Sequence, residues 1–244
     1  MSKALHLFDR PNSYIGRTVQ RPDARRLLEG RGKFVDDLQL PRMLHAAFVR
    51  SPYAHARIQG FDLDEAKDTP GVVAIYTGAD FVDHITPYVG VLTHLAGLRS
   101  APQMPLAVDV ARWQGEPIAM VVARSRAEAE DAAALVDADL DPLPATCDVE
   151  TALDPDAPVI HPEFGDNLAW ERLVDVGDVD AVFSRDDVTV VERTFRFGRH
   201  TGVTLEPRVS VVDYDPSEER MTYWYSGQAP HMMQAILALS LIHI

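Results

Sequence analysis

The residues of this chain best placed to do chemistry are Ser226-Gly227-Gln228. They follow the apolar run Met221 to Tyr225 and precede Ala229-Pro230-His231 and a second apolar run, so they read as a turn between a strand and a helix. At such a place the amides of the first helical turn and the Gln228 carboxamide converge, which suits a polar or anionic ligand. The competing reading is that the turn is only a turn and Gln228 caps the helix. A second polar segment, Arg199 to Arg208, lies just upstream and contains Glu206-Pro207-Arg208.

Other chemistries lack their signatures. His45, His55, His84, His94, His161, His200 and His231 stand singly, and no H-x-x-x-H or H-E-x-x-H spacing would put two imidazoles on one helix face to hold a metal. Asp36-Asp37, Asp186-Asp187 and Glu218-Glu219 sit beside turns and read as solvated charge. No G-x-S-x-G offers a serine nucleophile, and neither a P-loop nor a G-x-G-x-x-G is present to cradle phosphates. Cys147 is the one cysteine, which excludes an internal disulfide, a cysteine-only iron-sulfur site and a tetrathiolate zinc site. In its proline-rich surroundings it reads as a structural thiol.

The elements that position the turn can be read from pattern. Leu44 to Val49 is an apolar strand broken by Ser51-Pro52, and Ala56 to Phe61 resumes as another. Asp62-Leu63-Asp64-Glu65 has capping-box spacing for a short helix that Pro70-Gly71 ends, and Val72 to Tyr76 is a buried-type strand. After a loop from Gly78 to Pro105, Pro117 to Ala123 is an apolar strand, and Ser125 with Glu128 caps the clearest helix, which runs to Val136. With Asp137 to Asp141 this predicts a compact βαβ-like unit. Prolines 155, 158 and 162 make the stretch from Thr146 to Glu171 a linker. Beyond it Val188 to Phe197 alternates like a half-buried strand, Arg208 to Val212 and Met221 to Tyr225 give two more, and Pro230 introduces a helix from Met232 to Leu241.

Composition sets the outer limits. The 244 residues are 46% hydrophobic and 25% charged, enough for one or two domains with a core. A net charge of −14 repels polyanions, so nucleic acid is not an expected partner. Met1 to Arg10 is too polar for a signal sequence, and no uncharged run reaches the ~20 residues of a membrane span, so the expected location is the cytoplasm.

One ordered set of motifs points to a family. Gly30-Arg31-Gly32-Lys33-Phe34-Val35-Asp36-Asp37-Leu38 leads into Leu44 to Ile58, with the Ser51-Pro52 break and His55 in the corner. This order resembles the a/b hammerhead domain of the large, molybdenum-binding subunit of the xanthine dehydrogenase, aldehyde oxidase and carbon monoxide dehydrogenase superfamily. Gly115-Glu116-Pro117-Ile118-Ala119 is similar to that family's Gly-Glu-Pro-Val-Ala strand, Glu206-Pro207-Arg208 to its Glu-Pro-Arg, expected to be buried and structural, and Ser226-Gly227-Gln228 to a turn whose glutamine amide sits beside the molybdenum and hydrogen-bonds an oxygen ligand of the metal. The likeness runs from about residue 15 to 240.

The resemblance implies an α+β fold: an extended arm over 1–19, a hammerhead domain over 20–145, a linker over 146–175 and the beginning of a molybdopterin-binding domain over 176–244. It implies a cofactor contact by Gln228 with Gly227 and no catalytic or metal-ligating residue in this chain. For a complete subunit it implies molybdenum-molybdopterin, in the cytosine dinucleotide form of bacterial relatives, an iron-sulfur small subunit, an FAD-binding medium subunit and a dimer of such heterotrimers. The family's catalytic glutamate and glycine-rich cofactor segment would lie beyond residue 244, which reads as a truncated gene product that is inactive alone, with Phe195, Trp224, Met232 or Leu237 left exposed. The rival reading is a non-catalytic module that docks partner subunits.

Overall fold

The computed structural model describes residue 14 and residues 18–90 and 95–240. Most of the expected arm, and the final residues 241–244, lie outside the described residues.

A short helix, α1 (Ala24–Leu28), and a 3-10 turn (Val35–Asp37) precede the strands β1 (His45–Arg50) and β2 (Ala56–Asp62). A single-turn helix, α2 (Asp64–Lys67), then leads to β3 (Val72–Thr77), and β4 (Val110–Ala111), β5 (Pro117–Ala123), α3 (Arg126–Ala134) and β6 (Asp137–Pro142) complete the first part. The strands form two antiparallel three-stranded sheets, β1-β5-β3 and β4-β2-β6. The run Pro-Ile-Ala-Met-Val-Val-Ala becomes the central strand of the first sheet because nearly every position is apolar and can be covered on both faces: Ile118, Ala119, Val121 and Ala123 are fully buried.

The core is built from small residues. Ala66, Val121, Ala132 and Val136 meet with Val49, Phe61, Leu63, Val72 and Ile75 around them, and Ala107, Ala111 and Ile118 form a second cluster against Ile58 and Leu140. Alanines on α2 and α3 let the helices approach the sheet closely, where burial of one Val or Ile side chain contributes about 1.5–3 kcal/mol. Ser125 caps α3 as its spacing predicts: its Oγ accepts from the Glu128 amide at 3.3 Å and donates to Glu128 Oε2 at 2.8 Å. The turn between α2 and β3 needs Gly71, whose φ is +87° and which lies against the Glu128 carboxylate.

Glu116, at the head of β5, accepts a hydrogen bond from the Arg112 amide at 2.5 Å. Burial pushes its carboxyl above the ordinary value, against the opposing pull of that amide and of the Arg112 charge.

Three expectations are corrected here. β5 and β6 do not form a βαβ unit, because they lie in different sheets and α3 carries the chain from one sheet to the other. Asp62 is not the N-cap residue of α2, which is Leu63; it is the last residue of β2, paired with Asp137, and from there its Oδ1 accepts from the Asp64 amide at the start of the helix. Val188 to Phe197 forms no strand: the described chain from 171 to 205 is exposed almost throughout, and its only regular element is α4 (Val179–Phe183). Alternation supplied the two faces of a strand, but no neighbour among the described residues supplies the ladder.

The connector 146–170 is pinned in place. Asn167 donates to the carbonyls of Ala152 and Pro158 and accepts from the Ile160 amide, each at 3.0 Å, and Arg99 reaches the carbonyl of Phe164 at 3.1 Å as well as Asp166 and the carbonyl of Leu168. The last part is the hairpin β7 (Ser210–Asp215) and β8 (Arg220–Tyr225), followed by α5 (Pro230–Ser240), which Pro230 opens. Phe195 and Met232 are exposed, whereas Trp224 and Leu237 are half-buried. No described helix is long and apolar enough to cross a membrane.

Candidate functional site

The turn after β8 is braced by one serine. The Ser226 amide donates to the Val209 carbonyl at 3.1 Å, the Val209 amide donates to Ser226 Oγ at 3.1 Å, and that hydroxyl donates to the Pro207 carbonyl at 2.7 Å. The side chain of Ser226 therefore continues the β7–β8 ladder one step past its last strand pair, Ser210 with Tyr225. Gly227 follows, and the Tyr225 ring fills the space a Cβ there would need. That ring is itself stacked on Tyr223, with centroids 5.3 Å apart and planes 14° apart. Its hydroxyl is buried without a hydrogen-bond partner among the described residues.

Gln228 is thus carried on a fixed backbone. It is exposed, and its carboxamide has no hydrogen bond to another described residue, so the capping reading gains no contact to rest on. The first turn of α5 holds no acidic residue to compete for a ligand, and the carboxamide offers two donors and an acceptor to whatever lies in front of it.

Glu206-Pro207-Arg208 sits beneath this turn and ties it to the first part of the chain. Pro207 accepts from Ser226, while Glu206 Oε1 accepts from the Val35 amide at 3.1 Å. Glu206 is half-buried and Pro207 and Arg208 are exposed, a correction to the buried position expected of all three. Val35 was not singled out by sequence reasoning, and Ser226 was read as part of the turn but not as its brace. The serine was legible as a turn former, whereas nothing local to Val35 signals a partner so distant in sequence.

A cleft of about 1470 Å³ opens between the two parts, lined by the 35–50 segment, one side of α3 and residues 208–213. Arg126 on α3 spans part of it, pairing with Asp36 at 3.6 Å and Glu130 at 2.8 Å. The histidines remain dispersed: His55 contacts the Pro144 carbonyl at 2.7 Å, His161 lies by Glu163, and no group of metal-ligating side chains forms among the described residues.

Residues 29–144 match the family described as aldehyde oxidase and xanthine dehydrogenase, a/b hammerhead domain, and residues 160–242 match the molybdopterin cofactor-binding domain. The chain belongs to the molybdopterin-binding large-subunit superfamily of xanthine dehydrogenase, aldehyde oxidase and carbon monoxide dehydrogenase. Within this superfamily it is 37% identical over 238 residues to the nicotine 6-hydroxylase large subunit of Paenarthrobacter nicotinovorans, covering 97% of this chain and 29% of the relative. It is 34% identical over 239 residues to the carbon monoxide dehydrogenase large chain of Afipia carboxidovorans, covering 92% of this chain and 29% of that one. Quinoline 2-oxidoreductase from Pseudomonas putida 86 superposes with a TM-score of 0.85 at 33% identity, covering 93% of this chain and 29% of that structure. The chain thus spans under a third of the length of these superfamily members, and the Ser226-Gly227-Gln228 turn falls in the part that matches the cofactor-binding domain.

Proposed function

We propose that this chain is part of the large subunit of a molybdenum hydroxylase and that Gln228, with Gly227 beside it, contacts the molybdopterin cofactor. The observation that carries the reading is the exposed carboxamide of Gln228, without a hydrogen bond to another described residue, on a backbone braced by Ser226 in the residues that match the cofactor-binding domain. The donor set fits such a group as one contact: an amide that can donate to an oxygen, no carboxylate in the first turn of α5 to repel an anion, and a glycine that keeps side-chain bulk off the turn. When bound, the cofactor would supply a two-electron redox centre for hydroxylating an electrophilic carbon or oxidising carbon monoxide. The part of the chain's own residues is to hold and orient: Gln228 by hydrogen bonding, Ser226 and Pro207 by fixing the turn, Glu206 by holding it to the hammerhead.

In this reading the arm is residues 1–19, the hammerhead 20–145, the connector 146–175 and the cofactor-binding part 176–244. The complete subunit carries the cytosine dinucleotide cofactor, works in the cytoplasm with an iron-sulfur subunit and an FAD subunit, and assembles as a dimer of heterotrimers. The 244 residues alone bind no molybdenum tightly, since one contact cannot hold a large anionic ligand. Two relatives, named for nicotine and quinoline, favour a nitrogen heterocycle as the first substrate to test.

The test is to purify the complete subunit with whatever copurifies, measure molybdenum and cytosine nucleotide, and follow dye reduction with a nitrogen heterocycle, an aldehyde and carbon monoxide. Stoichiometric molybdenum with turnover of one substrate is expected. A metal-free complex that still assembles would leave the docking module as the function, and stoichiometric molybdenum in the 244-residue chain would overturn the single-contact reading.

A further inference from the structure

The cleft between the two parts of the chain has an unusual wall. Its lining takes every residue of β1, from His45 to Arg50, and the consecutive residues Arg208 to Asp213, which lead into and include most of β7. A strand that presented one face would line a cleft with alternate residues; consecutive lining means that it is the strand edges that look in. The topology agrees. Among the described residues β1 is an outer strand of the sheet β1-β5-β3, paired only with β5, and β7 is paired only with β8.

Two strand edges without a further strand partner among the described residues therefore border one cleft. Proline and lysine, which usually discourage pairing, are absent from His45 to Arg50 and from Ser210 to Asp215, although β1 ends in an irregularity at Val49 and Arg50 and β7 carries Asp213 and Asp215. The Val35–Glu206 hydrogen bond ties these two walls together. Its charge is also unbalanced. Its lining carries four arginines, Arg42, Arg50, Arg126 and Arg208, against three carboxylates, Asp36, Glu130 and Asp213, a small positive excess on a chain of net charge −14.

We propose that an extended, acidic segment of the same large subunit, from outside these 244 residues, inserts in this cleft as a strand paired to both β1 and β7. The result is one continuous sheet, β3-β5-β1-insert-β7-β8, that runs from the hammerhead to the Gln228 turn. This rests on the reading of the chain as part of a longer subunit. The relatives it matches are more than three times its length, and a covalently linked segment has the advantage of effective concentration over a strand from a separate protein. Backbone pairing on two sides would supply affinity, and Arg42 and Arg208 would select carboxylates.

Phe48 and Val212, both about half exposed and both lining the cleft, are the reporting positions. In the complete subunit a photo-crosslinking benzoylphenylalanine is placed at each in turn, and hydrogen exchange of β1 and β7 is compared with that of the 244-residue chain. Crosslinks from both positions to one peptide of the same chain, that peptide net negative, with exchange of β1 and β7 amides slowed about tenfold or more, are the expected result. Crosslinks to a partner subunit, to a second copy, to two unrelated peptides, to a net positive peptide, or to nothing would overturn it. Molybdenum content of the same preparation reports on the cofactor separately, so the cleft and the functional reading can fail independently.

Discussion

The amide of Val35 donates to Oε1 of Glu206 at 3.1 Å, joining residues 171 apart in sequence and linking the hammerhead to the segment beneath the Ser226 turn. Glu206→Ala leaves that amide without its acceptor. The expected cost is about 1 kcal/mol, felt locally: exchange at Val35 and across Ser210 to Tyr225 quickens while the hammerhead's thermal midpoint stays put. An equal loss of protection in β5 would show that the contact supports the whole fold instead.

Gln228→Ala in the complete subunit should lower turnover about 10²- to 10³-fold, the effect of removing a donor aimed at developing negative charge, with little change in thermal midpoint. A helix-capping role gives the opposite pattern, about 1 kcal/mol of lost stability with turnover intact. Molybdenum content, measured alongside, separates poorer binding from poorer turnover.

Protease sensitivity should concentrate between 171 and 205. That stretch is exposed nearly throughout, whereas the proline-rich connector before it is held by Asn167 and Arg99. Brief trypsin treatment is expected to cut first at Arg172, Arg185, Arg193, Arg196 or Arg199 and to leave a fragment containing residues 29–144. Early cleavage within 146–168 would mean that the hydrogen bonds of the connector do not hold it.

Glu116 predicts a pH effect. Its carboxyl is raised above the ordinary value by burial, so in the window just above that ordinary value the folded chain binds more protons than the unfolded one. Its contribution to stability is present at low pH and is lost as pH rises through the folded value. Glu116→Gln keeps an acceptor for the Arg112 amide and removes the titration. The variant's stability relative to the parent should therefore improve as pH rises from mildly acidic to neutral, and denaturation midpoints across that range that stay parallel would remove Glu116 from the account.

Much of this fold could be read locally, and what could not was non-local. Ser125 and Glu128 signal their helix because both partners of the cap lie within one turn, and Pro117 to Ala123 declares a buried strand because it is apolar at nearly every position. Asp62 misleads for the converse reason: its helix-cap spacing is real, but pairing with Asp137 keeps it in β2. The same holds for Val188 to Phe197, which has the alternation of a strand and no partner among the described residues. At the site, the turn was visible from Ser226-Gly227-Gln228. The braces that hold it, Val209, Pro207 and Val35, were not, because hydrogen bonds across a hairpin and across the whole chain leave no mark in local spacing.

The alternation of strands between the two sheets sets the order in which this protein can be born. Among the described residues β1 pairs with β5 and β2 with β6, so the first sheet cannot close before residue 123 has been made, nor the second before residue 142. A growing chain must carry β1, β2 and β3 unpaired for the whole of the long loop that follows them, and such non-local pairing is slow even once its partners exist. The vulnerable period of this subunit is therefore its synthesis, when the strand His-Ala-Ala-Phe-Val-Arg is available to any other unpaired edge nearby. A pause in translation soon after β6 emerges would favour correct assembly, and one between β3 and β5 would favour aggregation.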